Sequence, residues 1–434
     1  MINISDTHKE KIIDELMNTK LEIVFPDGDC ETITEENIAS ESMKLKQAIC
    51  DDSALKFGGC IASEFNINLI NTVDRTFDNS LVGKWISVRL TQTFPTGSLI
   101  YPSATLYPGT NVYPGEAVTS KVFYVFNGFI DSAKVDKSDK NMRNLVAYDV
   151  FAKLYQQDGT SLLMSILKSS QTGYTWLRNV LLLCMLKGNN KVMNVDYNWD
   201  NWGTFMNEVI NQQTGLCVYS YDIKNDDWID DNNTISIGEI IRCICEIMGT
   251  FGVIKPNEGK GCFMLIELGD SAENYDFNEN LYAEEYQSLG YTDFMLLNGN
   301  TSRTDKIMHY EPDISPDDAP LVTYDLTDNA CCWQDWDGQG AISAMQMFNL
   351  LSGQSGVRMY NCEFTPITAT LDGRLWVEVG DKIALKTKKT DVNGDYVLDE
   401  NGDVVTETVT SYVLSRTISG IHALTDNIEA KGGQ

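Results

Sequence analysis

Short stretches in which polar and apolar residues alternate constrain the fold of this chain more than any other feature. Glu64–Ile70 and residues 85–90 alternate, and residues 122–126 are almost entirely apolar. A period of two is typical of strands that bury one face. Residues 21–25 add a further apolar strand. We therefore predict that residues 21–150 form one β-rich barrel or sandwich.

A tyrosine–proline repeat interrupts this region. Tyr101, Tyr107 and Tyr113 are each followed by proline, at a spacing of six residues. Proline cannot donate the ladder hydrogen bond of a central strand, so the repeat predicts an extended surface insertion. Two interpretations stay open: a decorated loop, or a contact arm whose tyrosines meet a neighbouring subunit.

The pattern becomes helical in the middle of the chain. We predict one helix capped by Thr175, a second over residues 202–210, and a third that begins near Ser236 and ends at Gly249. Residues 1–20 have the pattern of an amphipathic helix as well. Apolar residues 252–254 and 262–266 flank a glycine-rich turn and predict a hairpin, so this part is α+β.

The rest of the chain returns to β structure. Residues 306–310 predict a strand, residues 341–352 a short helix, and residues 382–386 and 411–415 two strands around a pair of Asn-Gly-Asp turns. The predicted domains are 1–150, an N-terminal β-barrel with the Tyr-Pro insertion; 151–275, an α+β middle domain; 276–370, a second β-rich domain; and 371–434, a C-terminal hairpin region that completes a barrel.

Charge and cysteine content limit the functional classes. The chain has 62 acidic and 33 basic residues, a net charge of −29, which repels phosphate and argues against tight nucleic-acid binding. No signal peptide and no apolar run long enough to span a membrane is visible, so we expect no stable membrane insertion. The eleven cysteines are odd in number and contain no CxxC pair, which indicates free thiols in a reducing cytoplasm.

No catalytic motif is visible. The three histidines, His8, His309 and His422, lie far apart, and neither HExxH, GxSxG nor a phosphate-binding loop occurs. The acidic turn at Asp391 places its glycine at the fourth position, where a calcium loop needs it at the sixth. We predict no catalytic residue, no metal site and no cofactor.

Four tryptophans form two pairs with a spacing of three residues, next to acids and glycines. They are Trp199 with Trp202 and Trp333 with Trp336. Such pairs pack domain seams and subunit interfaces, and we predict that Trp333 and Trp336 lie at an interface. A glycan-binding receptor-recognition module of a phage tail or secreted adhesin is the alternative function that this pattern leaves open.

Several segments resemble a known family. Residues 57–65, Phe-Gly-Gly-Cys-Ile-Ala-Ser-Glu-Phe, are similar to the opening of tail-hub or baseplate-hub proteins of long-tailed phages and phage-derived injection machines. Residues 377–385 resemble that family's "GD-x-I" strand, and residues 414–420 and 429–432 resemble its closing hairpin. These landmarks span nearly the whole chain.

The resemblance implies an α+β, mainly β fold with two tube-like β-barrel domains and smaller α+β peripheral domains. It implies a homotrimer that forms a pseudo-sixfold ring at the tail tip of the virion and is made in the host bacterial cytoplasm. Expected partners are a distal tail or tail tube protein, the tape-measure protein, and a distal spike, fibre or lysin, with DNA only in transit. Because the chain stops at Gln434, we expect no appended peptidase or lysozyme domain and no enzymatic activity. Such a ring encloses the channel through which the tape-measure protein and then DNA leave, and we expect the wall of this channel to be neutral or acidic.

Overall fold

The structure is a computed structural model. It describes residues 18–51, 55–95, 118–137, 139–162, 195–197, 234–248, 250–269, 272–275, 282–286, 294–300, 307–310, 322–325, 366–389, 391 and 395–431.

The described chain is mainly β. The strands of the first half are β1 (Asn18–Val24), β2 (Lys44–Ala48), β3 (Glu64–Ile70), β4 (Trp85–Pro95), β5 (Val118–Val135), β6 (Met142–Tyr148), β7 (Val195–Tyr197), β8 (Phe251–Pro256) and β9 (Gly261–Ile266). Those of the second half are β10 (Ala272–Tyr275), β11 (Tyr282–Tyr286), β12 (Phe294–Asn300), β13 (Ile307–Tyr310), β14 (Val322–Asp325), β15 (Ile367–Asp372), β16 (Lys382–Lys388), β17 (Thr406–Tyr412), β18 (Ser415–Ser419) and β19 (Thr425–Ala430). The helices are α1 (Val150–Leu154) and α2 (Ile237–Met248), with 3-10 turns at Glu35–Asn37 and Asn79–Leu81.

One antiparallel sheet of ten strands organises the molecule. Its order is β1-β4-β5-β6-β3-β2-β18-β19-β15-β11. The pairing of β2 with β18, in which Lys46 lies opposite Thr417, joins strands from the two ends of the chain. Three smaller sheets have the orders β10-β16-β17, β13-β12-β14 and β7-β9-β8.

The alternation seen in the sequence produces the core. Phe65, Ile67 and Leu69 of β3 are fully buried, as are Ala147 and Leu145, the β6 partners of Phe65 and Ile67. The ring of Phe65 stacks on that of Phe126 with centroids 5.5 Å apart. Phe151 of α1 meets Phe263 of β9 edge to face with ring centroids 5.8 Å apart, which packs helix α1 against the β7-β9-β8 sheet. Each such buried side chain stabilises the fold by about 1.5–3 kcal/mol.

Strand β5 is long and bent. It pairs with β4 from Val118 to Phe129 and with β6 from Phe129 to Val135, with register shifts on both sides. Gly128 lies between these two register shifts, and a Cβ atom there would approach the carbonyl oxygen of Tyr148 to 2.2 Å. The predicted Tyr-Pro insertion connects Pro95 to Val118, the paired ends of the β4–β5 hairpin, and is itself outside the described residues.

Helix α2 begins where the sequence predicts. The Ser236 hydroxyl accepts a hydrogen bond from the Glu239 backbone N–H at 3.2 Å, and the Glu239 carboxylate accepts one from the Ser236 N–H at 2.7 Å. This reciprocal capping box satisfies two donors at the helix start. The strands at 64–70, 85–90, 122–126, 306–310 and 382–386 and the hairpin at 252–266 are confirmed as well.

Three predictions need correction. Strands β1 and β11 end the ten-stranded sheet without pairing with each other, so the described strands form an open sheet and no closed barrel. Residues 411–415 are not one strand: β17 ends at Tyr412 and β18 begins in another sheet at Ser415, because buried Val413 and Leu414 cross between the sheets. Residues 18–20 of the predicted first helix belong to β1.

The helices predicted at 175, 202–210 and 341–352 lie outside the described residues.

Candidate functional site

A polar face extends across six neighbouring strands of the large sheet, from β15 through β19, β18, β2 and β3 to β6. The strand register aligns two rows of outward side chains on this polar face. The first row is Thr370, Asn427, Thr417, Lys46, Glu64 and Tyr148. The second row is Asp372, Thr425, Ser419, Lys44, Asn66 and Val146.

The opposite face of the same strands is core. The residues that alternate with the two rows are buried, namely Leu371, Asp426, Ile418, Leu45, Phe65 and Ala147. Successive side chains of a strand point to opposite faces of the sheet. The alternating residues therefore place one face in the core, and the other face is available to solvent or a partner.

Side-chain hydrogen bonds tie the polar face together across strands. The Asn144 amide donates to Oδ1 of Asn66 at 2.7 Å and to Oδ1 of Asn68 at 2.9 Å. The Thr370 hydroxyl donates to Oδ1 of Asn427 at 2.6 Å. These bonds hold the amide and hydroxyl groups in fixed positions, and each contributes about 0.5–1.5 kcal/mol to the free energy of unfolding.

Charges on the polar face nearly balance. The charged side chains of its rows and of the neighbouring Glu429 are two lysines and three carboxylates: Lys44, Lys46, Glu64, Asp372 and Glu429. A face of this kind attracts neither a phosphate backbone nor a cation strongly.

A cleft of about 430 Å³ opens at one end of the polar face. Its walls combine polar-face residues with the loop after β2 and the chain end after β19: Lys46, Ser415, Asn427, Glu429, Asp51 and Lys431. Lys431 and Glu429 form an exposed ion pair at 3.6 Å. The mixed charges of the cleft do not single out one ligand.

Two glycines of the family-like motif sit in close contact with the middle of the chain. The Gly58 N–H donates to the Thr250 carbonyl, and the Gly252 N–H donates to the Gly59 carbonyl, both at 3.0 Å. A Cβ atom on Gly59 would lie 1.6 Å from the Ile49 carbonyl oxygen. The motif therefore fastens the large sheet to β8 and to the end of α2.

Buried ion pairs fasten the C-terminal strands. Arg416 pairs with Asp426 through Nε at 3.3 Å and through a second, closer contact, and it also donates to the carbonyls of Val377 and Arg374. Arg374 pairs with buried Glu273 at 2.9 Å. Burial raises the pKa of Asp426, and the Arg416 guanidinium opposes that shift.

Asp149 joins β3 to α1. Its carboxylate accepts hydrogen bonds from the backbone N–H groups of Ser63 at 2.8 Å and Phe151 at 2.9 Å. Burial raises the pKa of Asp149 to about 7, although these two bonds act in the opposite direction.

The sequence did not single out these ion pairs or the asparagine network. A recognisable signal exists for the first: Arg416 and Asp426 are opposite charges at inward positions of two successive strand patterns. The asparagines of β3 could have been placed on one face by their alternation with Phe65 and Ile67.

The predicted interface residues, Tyr101, Tyr107, Tyr113, Trp333 and Trp336, lie outside the described residues, as do Trp199 and Trp202. His422 is described and lies in the turn between β18 and β19, where its backbone N–H donates to Glu41 at 3.1 Å. Asp391 and Asp399 accept backbone hydrogen bonds within their own turns.

Within the described ranges, no three His, Cys, Asp or Glu side chains are grouped so as to hold a metal ion. The helices in those ranges are too short or too polar to cross a membrane.

Comparison with known proteins finds matches among solved structures. No family model and no curated protein matches the chain. The 43 kDa tail protein of prophage MuSo2 from Shewanella oneidensis is 9% identical over 95% of this chain and 97% of that chain, with a TM-score of 0.45. Prophage tail protein gp18 from Listeria monocytogenes is 10% identical over 94% of each chain, with a TM-score of 0.39.

A third solved structure comes from a secretion system. It is an Escherichia coli component of the type VI secretion system with structural similarity to T4 bacteriophage tail proteins gp27 and gp5, 7% identical over 96% of this chain and 77% of that chain, with a TM-score of 0.40. The sequence motifs resemble tail-hub and baseplate-hub proteins, and these three matches are phage tail proteins or similar to them. The predicted resemblance is confirmed for this broad class of protein. Identities of 10% or less and TM-scores below 0.5 assign no function to this chain.

Proposed function

We propose that this chain is a structural, non-enzymatic hub subunit of a phage-type tail tip. It joins the tail tube or distal tail ring to a distal spike, fibre or lysin and encloses the channel through which the genome leaves. The observation that carries the proposal is the polar face, which is continuous over six strands and backed by core.

The composition of the polar face suits the wall of such a channel. A lysine-rich wall would bind DNA phosphates and retain the genome. A wall of apolar side chains would bind the exposed apolar groups of an extended polypeptide. Neutral amides and hydroxyls do neither. Asn66 and Asn427 already accept side-chain hydrogen bonds within the polar face, so a polymer can pass without a deep minimum in free energy.

The proposed assembly is a homotrimer in which two tube-like domains per chain make a pseudo-sixfold ring. The insertion that carries Tyr101, Tyr107 and Tyr113, which connects the paired strand ends Pro95 and Val118, is proposed to contact a neighbouring subunit, together with Trp333 and Trp336. The tape-measure protein and then DNA pass through the ring. The subunit is made in the host cytoplasm and works at the tail tip of the virion.

Accessibility of one engineered thiol on the polar face tests this proposal. Asn427→Cys is compared with the parent chain, both as isolated subunit and in assembled tails, using a small maleimide and a bulky polyethylene-glycol maleimide. Glu400→Cys, on the exposed turn before β17, controls for reagent quality in the isolated subunit.

The proposal predicts that both reagents label Asn427→Cys in the isolated subunit, while in assembled tails only the small reagent does. Equal labelling by the bulky reagent in both states would place the polar face on the outside and contradict the proposal.

A further inference from the structure

Two buried thiols that are far apart in sequence lie close together in space. Sγ of Cys60 and Sγ of Cys245 are 3.6 Å apart, although 185 positions separate the residues. Both side chains are fully buried. Cys60 follows the glycines of the family-like motif, and Cys245 lies on α2. The pair therefore spans the contact between the large sheet and the middle of the chain.

The backbone around both sulfurs is held by hydrogen bonds. The Tyr155 hydroxyl donates to the Cys60 carbonyl at 2.9 Å, and the Thr250 N–H donates to the Cys245 carbonyl at 3.0 Å. A Cβ atom on Gly252 would come within 2.6 Å of the Cys60 sulfur, so only glycine at that position admits the thiol. Bond formation needs the two sulfurs to approach from 3.6 Å to about 2.05 Å.

We infer that Cys60 and Cys245 are a disulfide-forming pair, a modification site that reacts with small disulfide oxidants such as glutathione disulfide. In the first exchange one protein thiolate attacks a sulfur of glutathione disulfide and releases one glutathione thiolate. In the second, the other protein thiolate attacks the protein-bound sulfur and releases the second glutathione. The two protons end on the two glutathiones, and the protein loses two electrons.

The surroundings control when the bond forms. A reducing cytoplasm keeps both thiols free during synthesis and assembly. Burial raises the pKa of Cys245 well above its usual range, which makes the reactive thiolate scarce while the contact between the large sheet and α2 is closed. Exchange therefore requires that this contact open and that the environment be oxidising. Resting on the proposed function, this inference describes a covalent lock that is added after the particle leaves the cell.

Peptide mapping of the isolated full-length chain tests the inference. The reduced protein is desalted and incubated with glutathione disulfide, with and without a sub-denaturing concentration of urea, and free thiols are then alkylated before digestion. Trypsin leaves Cys243 and Cys245 on one peptide, so Cys243→Ser is the matched control that assigns the bond. Cys60→Ser and Cys245→Ser are the variants that remove it.

The expected product is a linked peptide pair that lacks two hydrogen atoms, forms faster in urea, persists in Cys243→Ser and is absent from the Cys60→Ser and Cys245→Ser variants. The oxidised chain should also have a higher Tm than the reduced chain. A bond from Cys60 to Cys243, glutathione attached only to half-buried Cys30 and Cys262, or no linkage with or without urea would each overturn the inference. Because the isolated chain is used, none of these results depends on tail assembly.

Discussion

The Arg416 guanidinium pairs with the Asp426 carboxylate inside the ten-stranded sheet, where the two side chains are 1% and 0% exposed. Thr417 follows Arg416 and Asn427 follows Asp426, and these two following residues are register partners on the polar face. One hairpin thus places a buried ion pair under the proposed channel wall, and the ion pair fixes the positions of the polar side chains above it.

Asp426→Asn should strongly destabilise the fold, because the Arg416 guanidinium would stay buried without its counter-charge. We expect a loss of about 3–5 kcal/mol in the free energy of unfolding, measured by urea titration. Glu429→Gln on the same strand weakens the exposed ion pair with Lys431 and should cost about 0.5 kcal/mol or less. Similar losses in both variants would show that the buried pair does not hold the hairpin.

Asp149 should make stability depend on pH. Its pKa is raised by burial from near 3.8 to about 7, so between these values the folded chain holds a proton that the unfolded chain releases. The stability contributed by this proton is complete below about pH 4 and is lost as the pH rises through about 7, at about 1.4 kcal/mol per pH unit.

The control is Asp149→Asn, which cannot titrate. Urea titrations from about pH 5 to about pH 8 should show that the parent chain loses stability relative to Asp149→Asn as the pH rises. Parallel pH profiles of the two proteins would refute the raised pKa.

Sequence patterns predicted the local structure well where one face is buried. Alternation in β3 and the helical pattern that begins near Ser236 identified the strand and the helix start, because both signals lie within a few residues. Long-range pairing left no such signal. Nothing in Lys44–Ala48 indicates that it pairs with Ser415–Ser419, and the polar face exists only through that pairing.

The motif at residues 57–60 was recognised only by resemblance, and its physical reason came from the structure. Gly58 and Gly59 permit close contacts with Glu246 and Ile49, residues that no local pattern relates to them. Arg416 and Asp426 were likewise missed, because charged residues in a strand are usually expected to face solvent.

Gly59→Ala should disrupt the contact between the large sheet and the middle of the chain. The new methyl group would overlap the Ile49 carbonyl oxygen, which forces a backbone shift and should cost about 3 kcal/mol or more. Gly28→Ala, at an open turn with φ of +74°, is the matched control and should cost about 1 kcal/mol. Thermal unfolding of both variants measures the difference, and an equal change in Tm would contradict the proposed contact.

Truncation after residue 370 should give an insoluble chain that cannot join a tail. It removes β18 and β19 from the interior of the ten-stranded sheet. Strand β2 then has no partner on the side away from β3, and the remainder of β15 has none on the side away from β11. Replacing residues 390–404 with Asn-Gly is the control, since Lys389 and Val405 are already paired at 2.8 Å. A soluble truncated chain that assembles normally would show that the C-terminal strands are dispensable.

Light scattering across a salt series tests the proposed ring most directly. Each chain carries a net charge of −29, so repulsion between copies opposes closure, and salt screens it over a Debye length of about 8 Å at physiological strength. If apolar and aromatic contacts hold the ring, the isolated protein should have the mass of three chains, and the trimer should persist or strengthen as moderate salt is added. A mass of one chain at every salt concentration, or a trimer that dissociates as salt rises, would contradict the account.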